Sequence, residues 1–336
     1  MNQALQHVLS GLRPTGRVHL GNYFGAIKNW VELQDRYPSY CFIADWHALT
    51  SDYADTSKIR QNTFDATADL LSAGLDPEKC VIFLQSEIKE HAELHLLLSM
   101  VTPLPWLERV PTFKDQQEQL QEKDLNTYGF LGYPLLQTAD IIIYRAAYVP
   151  VGEDQAAHLE LSREIVRRFN NFYGPVFPEP QALFTPAAKV PGLDGRKMSK
   201  SYGNTIPLTA SADEIRALVM TMFTDPNRVR RSDPGNPDIC NLFQFHKLFS
   251  DEATIARVDH ECRTAQIGCV QDKKLLADIM VEALRPIRAR REEIDRDPSI
   301  VWDVLRAGNA KARERTGETL ALVRDAMKID YPELRA

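Results

Sequence analysis

The feature of this sequence that most restricts its fold is the alternation of short β-branched runs with longer amphipathic stretches over the first 185 residues. Four buried strands are predicted, at 7–11, 40–45, 80–85 and 147–152. Helical periodicity follows each of them, at 20–35, 57–74, 90–101 and 153–170. Strands separated by helices pair in parallel, because a parallel connection needs room for a crossover. The pattern predicts an α/β fold with a doubly wound, Rossmann-like parallel sheet, whose ligands bind beyond the carboxyl ends of the strands.

The pattern changes after residue 206. Ser211 followed by Glu214 forms a capping box that predicts a helix start, and no further strand is indicated downstream. We therefore expect a sheet-containing domain over 1–206 and a smaller all-helical domain over 207–336, whose last helix can pack back on the first domain.

Composition excludes several classes of protein. Apolar residues make up 44% of the chain and charged residues 26%, the balance of an ordinary globular protein. No apolar run approaches the roughly 18 residues that cross a bilayer, and no signal-peptide pattern is present, so no membrane partner is expected. Five cysteines, an odd and sparse set, indicate reduced thiols and a cytoplasmic protein. A net charge of −6 argues against non-specific coating of nucleic acid but leaves room for a local basic patch.

The segment 11–30, directly after the first strand, has residues suited to phosphate binding. Glycines surround a strand-to-helix turn, with His19, Gly21 and Asn22 at the predicted helix start. Glycine permits close backbone approach, and the N–H groups at a helix start favour a phosphate. A glycine-rich turn capped by Asn22 is the alternative interpretation.

A second segment, 192–205, alternates two lysines with two serines in a loop bounded by glycines. The ammonium groups of Lys197 and Lys200, with the hydroxyls of Ser199 and Ser201, can clamp a polyphosphate. The alternative is a charged loop that is simply solvated.

Four polar side chains recur at intervals that place them on one face of an apolar helical stretch: Tyr133, Gln137, Asp140 and Tyr144. Their neighbours are apolar enough for the helix to be buried, and a buried carboxylate needs a partner. From the spacing alone, the partner of Asp140 is either a ligand N–H or ammonium group or an arginine such as Arg145 or Arg163.

The two glycine-bounded segments, in this order, resemble the signatures of the class I aminoacyl-tRNA synthetases. His19-Leu20-Gly21-Asn22 matches the early His-Ile-Gly-His-like tetrapeptide in part, with Asn22 in the last place. Lys197-Met198-Ser199-Lys200-Ser201 matches the late Lys-Met-Ser-Lys-Ser loop completely. The stretches SGLRPTG, HLGNYFGA, FIADWHALT, QSEI and 132–170 are similar to the bacterial-type tryptophan enzymes, so the resemblance spans at least the first 205 residues.

This resemblance implies ATP-dependent ligation of tryptophan to tRNA(Trp) through a tryptophanyl-adenylate, with Mg²⁺, by a homodimer that releases AMP and pyrophosphate. It implies catalytic roles for His19, Lys197 and Lys200. The residues it implies for ATP binding are Arg13, Thr15, Gly21, Asn22, Gly152, Glu153, Asp154, Lys197, Met198, Ser199, Lys200 and Ser201. Those it implies for tryptophan binding are Leu9, His47, Tyr133, Gln137, Asp140, Val149, Val151 and Gln155, with Asp140 accepting the indole N–H.

Besides Asn22, two further departures from the family bear on these roles. Arg13 stands where the family commonly has Gln, and Gln137 where a Met is common. Two alternatives stay open: the tyrosine-specific sister enzyme, which shares both signatures, and a regulatory paralogue with weak or no tRNA charging.

The resemblance makes the helical domain the reader of the anticodon. Candidate RNA contacts are arginines in two clusters, one in the loop at 228–231 and one on the helix at 285–291. Glu292 and Glu293 partly neutralise the second cluster, so a solvated helix is the alternative there.

Three cysteines resemble the iron–sulfur pattern of some tryptophan enzymes. Cys240, Cys262 and Cys269 have suitable spacing, and Asp272 stands where the fourth cysteine would fall. Three thiolates and a carboxylate are a poor ligand set for such a cluster. We expect no iron–sulfur cluster and no metal-binding residues.

Overall fold

A five-stranded parallel sheet forms the centre of the protein. The computed structural model describes residues 7–110, 124–152, 156–184 and 190–334. The strands are β1 (Val8–Leu12), β2 (Ser39–Ile43), β3 (Cys80–Leu84), β4 (Tyr148–Val151) and β5 (Gln181–Phe184), in the spatial order β3-β2-β1-β4-β5. All neighbouring strands are parallel. This is the doubly wound arrangement predicted from the sequence, and the order reverses between β1 and β4, where such sheets bind ligands.

The sequence analysis predicts four of the five strands to within two residues and misses β5. This strand has only four residues, lies at the edge of the sheet and pairs with β4 alone. It follows Pro178 and Pro180 closely. A short run beside prolines, without alternation, gives little strand signal.

Helices cover both faces of the sheet. They are α1 (Leu20–Asn22), α2 (Lys28–Leu33), α3 (Asp45–Asp52), α4 (Ile59–Ala73), α5 (Glu90–Ser99), α6 (Leu104–Glu108), α7 (Tyr128–Leu131), α8 (Tyr133–Ile143) and α9 (Ala156–Tyr173). A π-helical turn, Tyr23–Ile27, joins α1 to α2. Successive residues of a strand point to opposite faces: Cys41 and Ile43 enter one apolar cluster, whereas Phe42 enters another.

The described residues from 207 to 334 form helices and short turns, with no strand among them. The helices are α10 (Ala212–Thr221), α11 (Asn241–Phe249), α12 (Glu252–Arg263), α13 (Cys269–Ala283), α14 (Arg285–Arg296) and α15 (Ser299–Ala326). The predicted capping box at Ser211 and Glu214 is confirmed. In the described part of the chain, no helix combines the length and apolar character needed to cross a membrane.

The helices after residue 207 share their apolar core with the sheet. α14 packs on α4, and α15 packs on β3. One buried cluster combines residues of β2 and β3 with Leu276 on α13 and Leu305 on α15. The last long helix therefore packs back against the sheet.

α15 covers the edge strand β3 at very short range. A Cβ atom on Gly308 would overlap the carbonyl oxygen of Ile82. The next residue, Asn309, accepts the Leu84 N–H through Oδ1 at 2.9 Å. The helix thus protects an exposed sheet edge, which otherwise presents unpaired backbone groups.

Gly308→Ala should destabilise the protein, because the added methyl group forces α15 away from β3. We expect a loss of about 1–3 kcal/mol in the free energy of unfolding, measured by urea denaturation. Gly317→Ala is the matched control in the same helix, since a Cβ there meets nothing within 4 Å. The control should be neutral or up to about 1 kcal/mol more stable, because alanine favours a helix. Equal stability of the two variants would contradict the close packing.

Candidate active site

The two signature segments meet beyond the carboxyl end of β1, although they are 177 positions apart in the sequence. The Gly21 N–H donates to Met198 Sδ at 3.3 Å. Lys200 Nζ donates to the Gly16 carbonyl at 3.0 Å and to Thr15 Oγ1 at 3.2 Å. Gly16 has a φ of +106°, a backbone conformation that favours glycine. The structure therefore brings residues of both segments into one cluster.

His19 caps α1 with its own ring. Nδ1 accepts the Asn22 N–H at 3.3 Å, and Asn22 Oδ1 accepts the His19 N–H at 3.2 Å. Burial, assisted by the charge of Lys200, lowers the pKa of His19 to about 4, so the ring is neutral at pH 7. Since Nδ1 is an acceptor, the ring proton lies on Nε2, which remains a donor. Asn22, the departure from the family tetrapeptide, completes this cap.

The two lysines of the second segment lie in different environments. Lys200 is half-buried, and burial lowers its pKa to about 8 although the charge of Asp69 acts in the opposite direction. The Lys197 side chain is exposed. Lys200 is therefore held against the first segment, whereas Lys197 faces solvent.

Asn204 holds the lysine loop in shape, and the sequence analysis missed it. Its Oδ1 accepts the Ser199 N–H at 2.8 Å, while Nδ2 donates to Asp194 Oδ1 at 2.7 Å and to the Lys197 carbonyl at 3.2 Å. Gly192 leaves room for it, because a Cβ there would overlap the Asn204 amide. The available signal was that asparagine in a loop often bonds to nearby backbone groups.

The remaining residues predicted for ATP binding follow β1 or β4, belong to the lysine loop, or lie outside the described part of the chain. Arg13 Nη2 donates to Ser51 Oγ at 2.6 Å. Gly152 follows β4 directly, and Ser201 is exposed. Glu153 and Asp154, and Gln155 of the predicted tryptophan site, lie outside the described residues.

The apolar residues predicted for tryptophan binding lie on the two strands at the reversal of the sheet order. Leu9 on β1 and Val149 and Val151 on β4 are buried in one cluster. Tyr133, at the start of α8, is buried with its ring centroid 5.8 Å from that of His158. One further predicted residue, Gln137, is half-buried on the same helix.

Asp140 on α8 is completely buried and accepts hydrogen bonds from three side chains. His47 Nε2 lies 2.7 Å from Oδ2, and His91 Nδ1 lies 2.6 Å from Oδ1. Gln85 Nε2 lies 2.9 Å from both carboxylate oxygens. His91 Nε2 is in turn 2.8 Å from Tyr144 Oη. The carboxylate thus lies at the end of a buried polar network.

The protonation of this network follows from its geometry. Burial alone would raise the pKa of Asp140, but the hydrogen bonds from His47 and His91 outweigh burial and hold the pKa well below its usual range. Asp140 is therefore a carboxylate, and both histidines donate to it. His91 Nε2 then accepts the Tyr144 O–H.

The alternative that Arg145 or Arg163 pairs with Asp140 is wrong, since the partners of the carboxylate are His47, Gln85 and His91. Arg163 pairs with Glu160 at 2.9 Å and donates to the Pro180 carbonyl. Sequence analysis missed two of the observed partners, Gln85 and His91. Gln85 follows β3 directly, which was a usable signal, whereas His91 lies on α5 with no local pattern to mark it.

Most arginines of the predicted RNA clusters make contacts within the protein. Arg228 donates to the Ile267 carbonyl at 2.8 Å and to the Arg231 carbonyl at 2.9 Å. On α14, Arg291 forms ion pairs with three acids, and its side chain is largely buried. The alternative of a solvated helix face therefore does not hold for Arg291. In the loop at 228–231, Arg230 and Arg231 are exposed.

Arg228 also contacts the cysteines that resemble an iron–sulfur pattern. Its Nη1 lies 3.9 Å from both Cys262 Sγ and Cys269 Sγ. Asp272 is turned to His246, with Oδ1 3.0 Å from Nε2. Burial raises the pKa of Cys262 to about 11, which keeps this thiol protonated at pH 7. A guanidinium between two thiols, and an acid with another partner, do not fit a cluster that takes four thiolates.

We therefore predict that the protein purified without oxygen contains no stoichiometric iron. The measurement is metal analysis together with the visible spectrum. About four irons per chain and a brown colour, as a four-iron cluster would give, would contradict the prediction.

Comparison with known proteins identifies relatives over nearly the whole chain. The family model for tRNA synthetases class I (W and Y) matches residues 1–285. A Thermotoga maritima tryptophan–tRNA ligase is 52% identical over 326 residues, which cover 96% of this chain and 99% of that relative. The corresponding Deinococcus radiodurans protein is 44% identical and covers 98% and 100%.

A solved structure gives the same result. The tryptophanyl-tRNA synthetase of Campylobacter jejuni, complexed with ADP and tryptophan, matches with a TM-score of 0.89 at 36% identity, over 96% of this chain and 100% of that one. These relatives do not favour the tyrosine-specific or regulatory alternatives. The chain belongs to the class I tRNA synthetases, among the tryptophan–tRNA ligases.

Proposed function

We propose that this chain joins L-tryptophan to tRNA(Trp), using ATP with Mg²⁺. The observation that carries this proposal is Asp140, a buried carboxylate held between residues that follow β2 and β3 at the carboxyl edge of the sheet. The phosphate-suited cluster of His19 and Lys200 lies beyond the neighbouring strand β1. A ligand with an indole N–H and a polyphosphate fits these two features together.

Two steps make up the proposed reaction. A carboxylate oxygen of tryptophan attacks the α-phosphorus of ATP, and the bond from that phosphorus to the bridging oxygen breaks, so that pyrophosphate leaves. A hydroxyl of the terminal tRNA ribose then attacks the acyl carbon, and AMP leaves. No protein side chain has to act as a nucleophile, so the protein accelerates the reaction by positioning and charge stabilisation.

His19 and the lysines would act on the phosphates. The neutral His19 ring offers Nε2–H as a donor to a phosphate oxygen, and its position is fixed by the cap with Asn22. Lys200 would exchange its contacts with Gly16 and Thr15 for the charge that develops on pyrophosphate, and the exposed Lys197 would assist. Mg²⁺ would arrive with the phosphates of ATP, as is usual for this ion.

Tryptophan would be selected by a change in the partners of Asp140. The carboxylate already has hydrogen bonds on both oxygens, so an indole N–H has to take the place of one of them. Gln85 contacts both oxygens and can keep one while it releases the other. The His47 side chain is 11% exposed, whereas that of His91 is 0% exposed, so His47 is the partner nearer to the entering ligand.

The helices from 207 onward would read the tRNA anticodon, with Arg230 and Arg231 as exposed candidates for phosphate contact.

The active form would be a homodimer. Large apolar side chains are exposed in the segment 96–104, at Leu96, Met100 and Leu104, and Phe172 on α9 is also exposed. Arg168 bonds to the Val101 carbonyl and stacks on Phe172, which links α9 to this segment. Apolar surface of this kind favours a second copy of the chain.

The proposal is tested by two assays on the wild-type chain. Pyrophosphate exchange should depend on tryptophan and not on tyrosine, which separates the two sister activities. Charging of tRNA(Trp) with labelled tryptophan should follow. If the chain supports pyrophosphate exchange but does not charge tRNA, it is a paralogue that only makes the adenylate. If it supports no exchange, the proposed function is wrong.

A further inference from the structure

Asp69, in α4, is a completely buried carboxylate that joins three separate parts of the chain. Its Oδ2 accepts the Val18 N–H at 2.8 Å. Its Oδ1 accepts the Thr209 hydroxyl at 3.0 Å and Arg291 Nη1 at 2.6 Å. Val18 directly precedes His19, Thr209 follows the lysine loop, and Arg291 lies on α14. A single acid thus bonds to the first signature segment, to the stretch that follows the second one, and to a helix of the C-terminal region.

The stretches that contain Val18 and Thr209, both bonded to Asp69, are also paired with each other. The Leu208 N–H donates to the Val18 carbonyl at 2.8 Å, and the Leu20 N–H donates to the Ile206 carbonyl at 3.0 Å. These bonds enclose His19 and fix the backbone from which its ring projects. Asp69 bonds at one end of this pairing, so a shift of its carboxylate would move the segment that carries His19.

Arg291 is the cation that balances this buried acid. Its side chain is 13% exposed and also pairs with Asp65 at 2.7 Å and Asp295 at 2.8 Å. Removing one partner of a buried ion pair leaves an uncompensated charge, and the surrounding groups have to rearrange. Arg291 can therefore fix the position of Asp69 through Oδ1, the oxygen that does not accept the Val18 N–H.

We propose that Asp69 and Arg291 are positioning residues for the ATP site, which act through the backbone of residues 18–20. The inference rests on the proposed function, because it assigns these residues a part in adenylate formation. It also reassigns Arg291, which the sequence analysis grouped with RNA contacts, to a link between α14 and the phosphate-binding segment.

The experiment compares Arg291→Gln and Asp69→Asn with Asp65→Asn, which removes another partner of Arg291 but does not touch residues 18–20. The readouts are the Kd for ATP without amino acid, the Kd for tryptophan without ATP, and the kinetics of pyrophosphate exchange. Arg291→Gln and Asp69→Asn should weaken ATP binding or lower kcat by about ten- to a hundredfold, the cost of slight misplacement. Tryptophan affinity should change less than about twofold, since uncoupled sites respond independently. Asp65→Asn should behave like the wild type in all three.

Arg291→Lys keeps the charge and supplies a variant that folds if Asp69→Asn does not. It should recover part of the ATP affinity that Arg291→Gln loses. Wild-type ATP parameters in a folded Arg291→Gln protein would overturn the inference, and so would equal losses for ATP and tryptophan, which indicate a general structural role. Because ATP binding is measured without an amino acid, this result is separate from any failure of the wild-type chain to use tryptophan.

Discussion

Asp140→Asn is expected to fold and to lose about a hundredfold or more in kcat/KM for tryptophan. The change removes the negative charge that an indole N–H would meet. The asparagine amide can donate to His91 Nδ1, and the ring can then donate from Nε2 to Tyr144, so both ring nitrogens of His91 keep a partner. Asp140→Ala is a poorer choice, because it leaves the donors of His47, His91 and Gln85 unpaired.

The measurement is pyrophosphate exchange with tryptophan and with an analogue in which sulfur replaces the ring N–H. The variant should prefer tryptophan over this analogue less than the wild type does. Asp272→Asn is a matched control, because Asp272 is also a buried acid bonded to a histidine, His246. It should leave the kinetics for both substrates unchanged. Full tryptophan activity in a folded Asp140→Asn protein would exclude the proposed role.

Lys200→Ala is expected to lower kcat for adenylate formation by about a hundredfold, or about 3 kcal/mol of transition-state stabilisation. The KM for tryptophan should change much less, because the ammonium group acts on pyrophosphate. Lys79→Ala, which removes an exposed lysine paired with Asp35, is the control and should have no effect. Unchanged activation kinetics in Lys200→Ala would exclude Lys200 from the activation step.

The same lysine gives a pH dependence. Burial lowers the pKa of Lys200 to about 8, so the group loses its charge as the pH rises through that value. The kcat/KM for ATP, which reports the free enzyme, should therefore fall above about pH 8. In Lys200→Arg this fall should disappear, because arginine stays charged throughout the range. A fall at the same pH in both proteins would assign it to another group.

Local patterns were sufficient for much of the fold. The alternation of strands and helices predicts the parallel sheet, and the capping box at Ser211 predicts the start of α10. Each of these elements is marked by residues that are close together in the sequence. The sequence analysis missed β5 because its four residues adopt a strand conformation through pairing with β4, and their own sequence has little strand preference.

The two signature segments of the candidate site were predictable, because each is a contiguous motif in the sequence. The supporting network of the site was not predictable, because the contacts join residues that the sequence separates widely. His91 and Asp140 are 49 positions apart, and Asp69 and Arg291 are 222 apart. A buried acid on an apolar helix shows that a partner exists, but only the packing of helices on the sheet decides which residue it is.

The position of α15 has a consequence for synthesis on the ribosome. Strand β3 is complete at residue 84, but the helix that covers its edge spans 299–326 and is synthesised more than 200 residues later. A nascent chain therefore carries an open strand edge while the residues between β3 and α15 are synthesised, and such edges pair readily with other chains. A truncated product that ends before Ser299 would keep all five strands and both signature segments, yet it would be prone to aggregate.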